Sequence, residues 1–484
     1  MKALSIFGSG SGAGKSWITT AFGAWLHGQG IRVAPFKAQN MSNNAWVTLD
    51  GGEIGRAQAV QAEACGLTPT VEMNPILLKP SGGQGSQVIV LGQSEGHCSA
   101  ADYYLHFDRL WQIVTQVLDG WRARCDVLLL EGAGSPVELN LLQRDLVNLR
   151  PCRYLDGRWI FVGDIDRGGI FAQLAGAWCL LSVQDRARSL GAIINRFRGD
   201  PALFADPQLW LRPHAPGFDI LGTLPLRGDL QPEEEDGLTV ADRIRGDGHI
   251  MAWVLFPHVS NLTDCQPWWD DRGVQVRWVT TVRELQDARV IVLPGTKNSL
   301  ADLRWLRQSG MADAVVAASA RGALIIGICG GFQMLGESLR DSTGIAGDAG
   351  IERGLGLLPA ATQYSPAKTL RQVTAICGSS EWIAYEIHMG ETHAIGRAEH
   401  LHNVRDNQGL RSEGMRVGKV WGTYLHGWFE SPALRSQVAA AAGMHEHRPH
   451  PVPWAERRAA VYRAMAEHLA SHVDLDPVRR YLGL

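Results

Sequence analysis

Two stretches of this sequence bring together residue types that perform chemistry, each entered from an apolar run and left through a helical pattern. The first is Gly8-Ser9-Gly10-Ser11-Gly12-Ala13-Gly14-Lys15-Ser16, between the apolar run 3–7 and the helically spaced Trp17, Ile18, Ala21, Phe22, Trp25 and Leu26. In that order of strand, loop and helix, glycines let backbone N–H groups turn inward around phosphate oxygens, and the helix N-terminus adds its positive end. Lys15 would reach the terminal phosphates and Ser16 would hold Mg²⁺, which assigns Gly8, Ser11, Gly12, Ala13, Gly14, Lys15 and Ser16 to ATP. The loop departs by one residue from the usual G-x-x-x-x-G-K-[ST] spacing, because Ser9 stands where glycine is common and Gly8 lies before it. Magnesium needs further oxygen ligands. Glu131, at the end of the apolar run 126–130, is the expected one, since ligands of open parallel sheets gather at the carboxyl ends of the strands. Asp164 and Asp166 follow the run 159–163 and precede Arg167; metal binding, substrate binding and a local ion pair are all open to them.

The second stretch passes from the apolar run 323–328 into Cys329-Gly330-Gly331-Phe332-Gln333-Met334-Leu335-Gly336. A buried strand, a glycine-flanked turn carrying cysteine and a helix make a nucleophile elbow. Small neighbours leave room for a substrate acyl group and for backbone N–H groups aimed at an oxyanion. The base should be a histidine distant in sequence. Gly422-Thr423-Tyr424-Leu425-His426-Gly427 follows an apparent strand, so Cys329 and His426 read as the dyad of a glutaminase. Upstream, the strand-like 290–293 ends in a tight turn at Gly295, a second oxyanion donor through its backbone, and Gly330 and Gln333 join it in the glutamine site.

These groups need rigid elements to hold them. Short apolar runs at 3–7, 32–36, 126–130, 159–163 and 191–195 alternate with helical patterns, which is how buried parallel strands of an α/β domain appear in sequence. A second series at 250–256, 275–280, 289–293 and 323–328 makes a second α/β domain. The polar stretch around Glu233-Glu234-Glu235-Asp236 separates the two. The division expected is 1–235, a linker at 236–249, a second domain at 250–445 and a C-terminal helical extension at 446–484. With 484 residues, 45% of them hydrophobic, and 46 Lys+Arg against 49 Asp+Glu for a net charge of −3, disorder and a clustered basic field for nucleic acid or anionic membrane are excluded as the main character. The eight cysteines include no C-x-x-C pair, and the opening apolar run is too short for a signal peptide, so the expected location is the cytoplasm.

Taken together, the motifs resemble the class I glutamine amidotransferases of the cobyric acid synthase type. The resemblance is carried by segments 39–44, 50–64, 74–80, 131–136, 163–169, 294–298, 329–336, 385–390 and 422–427. It implies an N-terminal P-loop domain of the dethiobiotin synthetase-like branch and a C-terminal class I glutamine amidotransferase domain. It further implies that ATP and glutamine, with Mg²⁺, amidate the b, d, e and g carboxylates of adenosylcobyrinic acid a,c-diamide. Asn195 closes a strand where the related ATP enzymes read adenine. The polyanionic corrinoid requires local cations, for which Arg56, Lys79 and Arg167 are candidates. Two departures stand out: Gly12 replaces the aspartate usual in the family's loop, and Trp428 replaces the glutamate found two residues after the histidine in typical class I enzymes. The expectation is therefore a dyad whose imidazole no carboxylate fixes, with Glu430 no part of it. The rival readings are cobyrinic acid a,c-diamide synthase, with the same architecture, and a P-loop switch carrying an inactive amidotransferase-like domain. An internal path for ammonia between the domains is expected, although no residue marks it.

Overall fold

The computed structural model describes residues 1–80, 85–232, 243–345 and 349–484; the acidic run 233–236 and the expected linker as far as 242 lie outside them. The N-terminal half is built on a six-stranded sheet. Its strand order is Ile220–Pro225, Ser189–Phe197, Arg158–Asp164, Lys2–Gly8, Val127–Glu131 and Val33–Phe36, and every pairing is parallel. Strands buried on both faces must be apolar throughout. That is why the apolar runs of the sequence correspond to them: Leu4, Ile6, Leu128, Leu129, Ile160, Phe161, Ile193 and Ile194 are all fully buried.

A second parallel series runs Val274–Val279, His249–Val254, Val290–Leu293, Leu324–Ile328 and Val420–Thr423. Ile244–Gly246, within the stretch expected to be linker, is instead an antiparallel edge strand of this sheet. The sheet continues antiparallel through Gly409–Val417 and Glu399–Asp406 to the long hairpin of Ala360–Cys377 and Ser380–Ala394. Apolar runs do not reveal that hairpin, because one face of it meets solvent and its burial alternates along the strands.

Two features join the halves. A small hairpin of Ala45–Val47 and Glu53–Gly55 buries Trp46 and Ile54 in one cluster with Tyr385 and Ile387 of the distant strand Ser380–Ala394. The helix Trp454–His472, though it follows the second sheet in sequence, packs on the first helix, Lys15–Gly28, with Tyr462, Met465 and Leu469 in the cluster of Ile18, Phe22 and Leu26. Leu469 is completely buried there. Leu469→Ala should therefore destabilise the N-terminal half by about 2–5 kcal/mol, the range for a leucine removed from a packed core. Urea unfolding followed through the tryptophans, compared with wild type, measures the loss.

Candidate active site

The glycine loop leaves strand Lys2–Gly8 and closes on helix Lys15–Gly28, with Gly12 and Gly14 in left-handed conformations (φ 74° and 92°) that a side chain would strain. Gly8 gives the Lys15 stem its room, since a Cβ there would lie 2.9 Å from it. The Lys15 ammonium donates to the carbonyls of Gly10 (2.8 Å) and Gly134 (3.1 Å), which hold it across the loop mouth. Ser16 donates to Glu131 at 2.9 Å, so the two expected metal ligands converge. Glu131 is fully buried at its strand end and also accepts from Lys37 (2.8 Å) and Gln61. Burial pushes its carboxyl up, but Lys37 above all brings it below the usual range, so it stays ionised. One hydroxyl and one carboxylate suit a nucleotide-borne Mg²⁺, whose other ligands are phosphates and water.

Asn195, expected at the adenine, also has a partner within the protein. Its amide donates to the Ala13 carbonyl at 3.0 Å, bracing the loop from beneath. A Cβ on Gly14 would strike that amide, which is a second reason for glycine at this position. Asp164 is paired with Arg196 (3.2 Å) and Arg167 (3.5 Å), and Asp166 with Arg198 (3.1 Å), so both carry local ion pairs. The Arg167 guanidinium also lies 3.0 Å from where a Cβ on residue 12 would stand. It thus covers the loop at the position where the family usually has aspartate.

In the second half, Cys329 sits at φ 51° and ψ −109° between strand Leu324–Ile328 and helix Gly330–Leu335. A non-glycine residue in that region is strained. The thiol lies 3.5 Å from the Ile387 carbonyl, and a Cβ on Gly331 or Gly327 would collide with neighbouring backbone. His426 ends the short strand Leu425–His426 and is fully buried. Gly295 must be glycine because its Cβ would press on the His426 ring at 2.9 Å. Gln333 reaches the same pocket, but its amide is engaged by Ser299 (2.8 Å), Tyr364 and Tyr424 (3.4 Å).

The dyad expectation is corrected by one aspartate. His426 Nδ1 lies 2.7 Å from Asp264 Oδ2, and the second oxygen of Asp264 accepts the Gly427 N–H at 2.9 Å. Asp264 is itself buried, in the 3₁₀ helix Leu262–Trp268. A carboxylate there fixes the tautomer and orientation of the ring and leaves Nε2, which has no hydrogen-bond partner among the described residues, for Cys329. Burial disfavours the charged ring, but Asp264 and Cys329 outweigh it and raise His426 from its ordinary 6.5 to about 10. Glu430 stays outside, as expected: its carboxylate accepts from Arg458 at 2.9 Å.

Cys329 and His426 line a cavity of about 530 Å³. Its walls come from both halves: Asn43, Lys79 and Gln87 face Ser299, Gln333 and Tyr364. Two expected corrinoid cations are thereby relocated. Lys79 is buried against Glu53 in this cavity wall, and Arg56 is buried over the Trp46 ring at 4.3 Å, at the junction of the halves. Neither shares its cavity with a residue of the glycine loop, and both cavities are lined in part by the second half.

Residues 4–240 match the family model described as the CobQ/CobB/MinD/ParA nucleotide binding domain, and residues 250–434 match the CobB/CobQ-like glutamine amidotransferase domain. Over 486 residues the chain is 43% identical to a cobyric acid synthase of Roseiflexus castenholzii, covering 97% of this chain and 96% of the relative. It is 42% identical to that of Chloroflexus aurantiacus, again over 97% and 96%, and 39% identical to that of Syntrophobacter fumaroxidans, over 100% and 99%.

Asp264→Asn keeps the shape of the site but removes the charge and favours the wrong tautomer, so glutamine hydrolysis should fall by about 10²–10⁴-fold. Glu430→Gln should cost less than about tenfold, or roughly 1.4 kcal/mol of barrier. Steady-state release of glutamate by the two folded variants separates the roles. The raised His426 also has a thermodynamic consequence: its pairing with Asp264 stabilises the fold fully below pH 6.5, and that contribution fades as pH rises toward about 10. Denaturation across that interval should show wild type losing more stability with rising pH than Asp264→Asn.

Proposed function

The chain belongs to the cobyric acid synthase family, and on that premise we propose the chemistry its two sites perform. It is a glutamine-hydrolysing ligase of cobalamin biosynthesis, with an amidotransferase domain and a nucleotide-binding domain in one chain. Its acceptor is adenosylcobyrinic acid a,c-diamide, amidated at the b, d, e and g carboxylates, with one ATP and one glutamine consumed for each amide.

The observation that carries this reading is the strained Cys329 elbow beside a histidine fixed by Asp264. The attacking species of a cysteine nucleophile is the thiolate. Its sulfur adds to the glutamine carboxamide carbon while the proton resides on His426, whose charged form Asp264 favours. His426 returns that proton to the departing nitrogen, ammonia leaves, and water hydrolyses the thioester to glutamate. Backbone N–H groups around Gly295 and Gly330 receive the oxyanion.

In the N-terminal half, a corrinoid carboxylate attacks the γ-phosphorus of ATP and expels ADP, giving an acyl phosphate. Ammonia displaces phosphate from it and forms the amide. The loop backbone and Lys15 hold the phosphates and meet the charge on the migrating group. Ser16 and Glu131 would hold Mg²⁺, which when bound offsets phosphate charge. Arg167, exposed above the loop, is the cation best placed to meet an acceptor carboxylate. Eight free cysteines support a reducing, cytoplasmic setting, and none of the described helices is long and apolar enough to cross a membrane.

Cys329→Ala should abolish glutamine-dependent amidation and retain amidation from ammonium salts, whereas Lys15→Ala should abolish both. Product mass after incubation with the a,c-diamide, ATP and either nitrogen donor checks both variants. Loss of the ammonium reaction in folded Cys329→Ala would overturn the division of labour.

A further inference from the structure

The cavity in front of Cys329 has an uneven charge. Lys79, Lys297 and Lys368 all line it, whereas no aspartate or glutamate appears among its described lining residues. Among the described residues the carboxylate paired with these lysines is Glu53, fully buried and bound to both Lys79 and Lys368; Asp302, behind the same wall, is taken by His258 and Thr296. One carboxylate against three ammonium groups leaves positive charge in a wall where Lys79 is buried and Lys297 and Lys368 are half-buried. Buried like charges are costly unless an anion or a lost proton relieves them. Burial first, and then Lys79 and Lys368, push the Lys297 ammonium well below the ordinary lysine range, with Glu53 opposing. The cluster is thus built with room for one more negative charge, on the cavity side.

The ligand that shares this cavity with Cys329 is glutamine, on the reading proposed above, and at the end opposite its reacting carboxamide it carries a carboxylate. A corrinoid carboxylate is the competing anion. It reacts at the glycine loop, however, and neither Lys15, Ser16 nor Glu131 lines this cavity. We propose that Lys297, flanked by Lys79 and Lys368, holds the α-carboxylate of glutamine, so that the glutaminase pocket of the C-terminal half is completed by Lys79 and Glu53 of the N-terminal half. The pocket then selects free glutamine over glutamine whose α-carboxylate is blocked. It also accounts for the burial of Lys79 here rather than beside the nucleotide.

The test uses the full chain, with hydrolysis of L-glutamine compared with that of L-glutaminamide, in which the α-carboxylate is a neutral amide. Wild type should prefer glutamine by at least about 100-fold in kcat/KM, because a site built around a charged group rejects the analogue lacking it. Lys297→Met should lower kcat/KM for glutamine by about tenfold or more, chiefly through KM, and should shrink the preference over glutaminamide. Lys297→Arg should recover most of both. Wild-type preference below about threefold overturns the proposal whether or not Lys297→Met folds. An unchanged preference in folded Lys297→Met overturns it as well. So does a variant that leaves the glutamine KM intact while raising the KM for the corrinoid with ammonium as nitrogen donor, since the anion would then be the acceptor's. Absence of any glutamine hydrolysis by wild type would instead refute the reading of Cys329 itself.

Discussion

The hydrogen bond between Asp264 and His426 joins segments 162 residues apart, and the geometry of the second site depends on it. A buried carboxylate must be paired, and Asp264 is paired twice, with the ring and with the Gly427 N–H that follows it. The placement of Asp264 rests in turn on Asn261, which starts the 3₁₀ helix from a left-handed conformation (φ 54°). Asn261 donates its backbone N–H to the Asn44 side chain of the N-terminal half at 2.8 Å. A second support comes from the same segment: Tyr385 donates to the Ala45 carbonyl at 3.1 Å, and its ring centroid lies 5.3 Å from that of His426. His426, the general base of the proposed reaction, is therefore oriented by a surface to which the nucleotide-binding half contributes.

That contributing segment leads back to the nucleotide side. The Asn44 carbonyl accepts from the N–H of Arg56, the first residue of helix Arg56–Ala64, and near the other end of that helix Gln61 donates to Glu131 beside Ser16. One short helix thus touches the carboxylate of the phosphate site at one end and the support of the histidine at the other. Three buried carboxylates, Glu131, Asp264 and Glu53, fall along this junction. Each is neutralised by partners that are themselves part of a site, so the stability of the interface and the chemistry are met by the same groups.

The two reactive loops were legible because each is contiguous: strand, turn and helix lie within about twenty residues, so local physics alone sets the fold and the chemistry of the loop. The parallel strands were legible because burial on both faces makes them continuously apolar. Asp264 was not, since a lone aspartate in a polar loop carries no spacing rule relative to His426, and only the fold brings the two together. Lys79 and Arg56 were recognisable as cations for an anionic partner, but which cavity they face depends on the register of short strands and a helix in the segment 39–99. Asn195 stands legibly at its strand end, while its bond to the Ala13 carbonyl joins residues 182 apart that no spacing rule connects. The hairpin of Ala360–Cys377 and Ser380–Ala394 escaped because one solvated face breaks the apolar pattern.

On the proposed reading, ammonia released at Cys329 is useful only while unprotonated, so the two sites must keep a fixed and sheltered separation. The structure supplies that constraint through the end of the chain as well as through the hairpin at residues 45–55. Helix Trp454–His472 follows the second sheet in sequence but returns to the first helix, so moving the halves apart would expose Met465 and Leu469 of a completely buried core. Within that helix, Arg458 pairs with Glu63 (3.1 Å) of helix Arg56–Ala64 and with Glu430 (2.9 Å), four residues beyond His426. A guanidinium buried between two carboxylates from different halves is costly to leave unpaired, and sliding either half would unpair it. Glu430, which sequence position alone could have suggested as a catalytic partner, is thereby engaged in holding the halves in register, and the carboxylate that orients the histidine comes from Asp264.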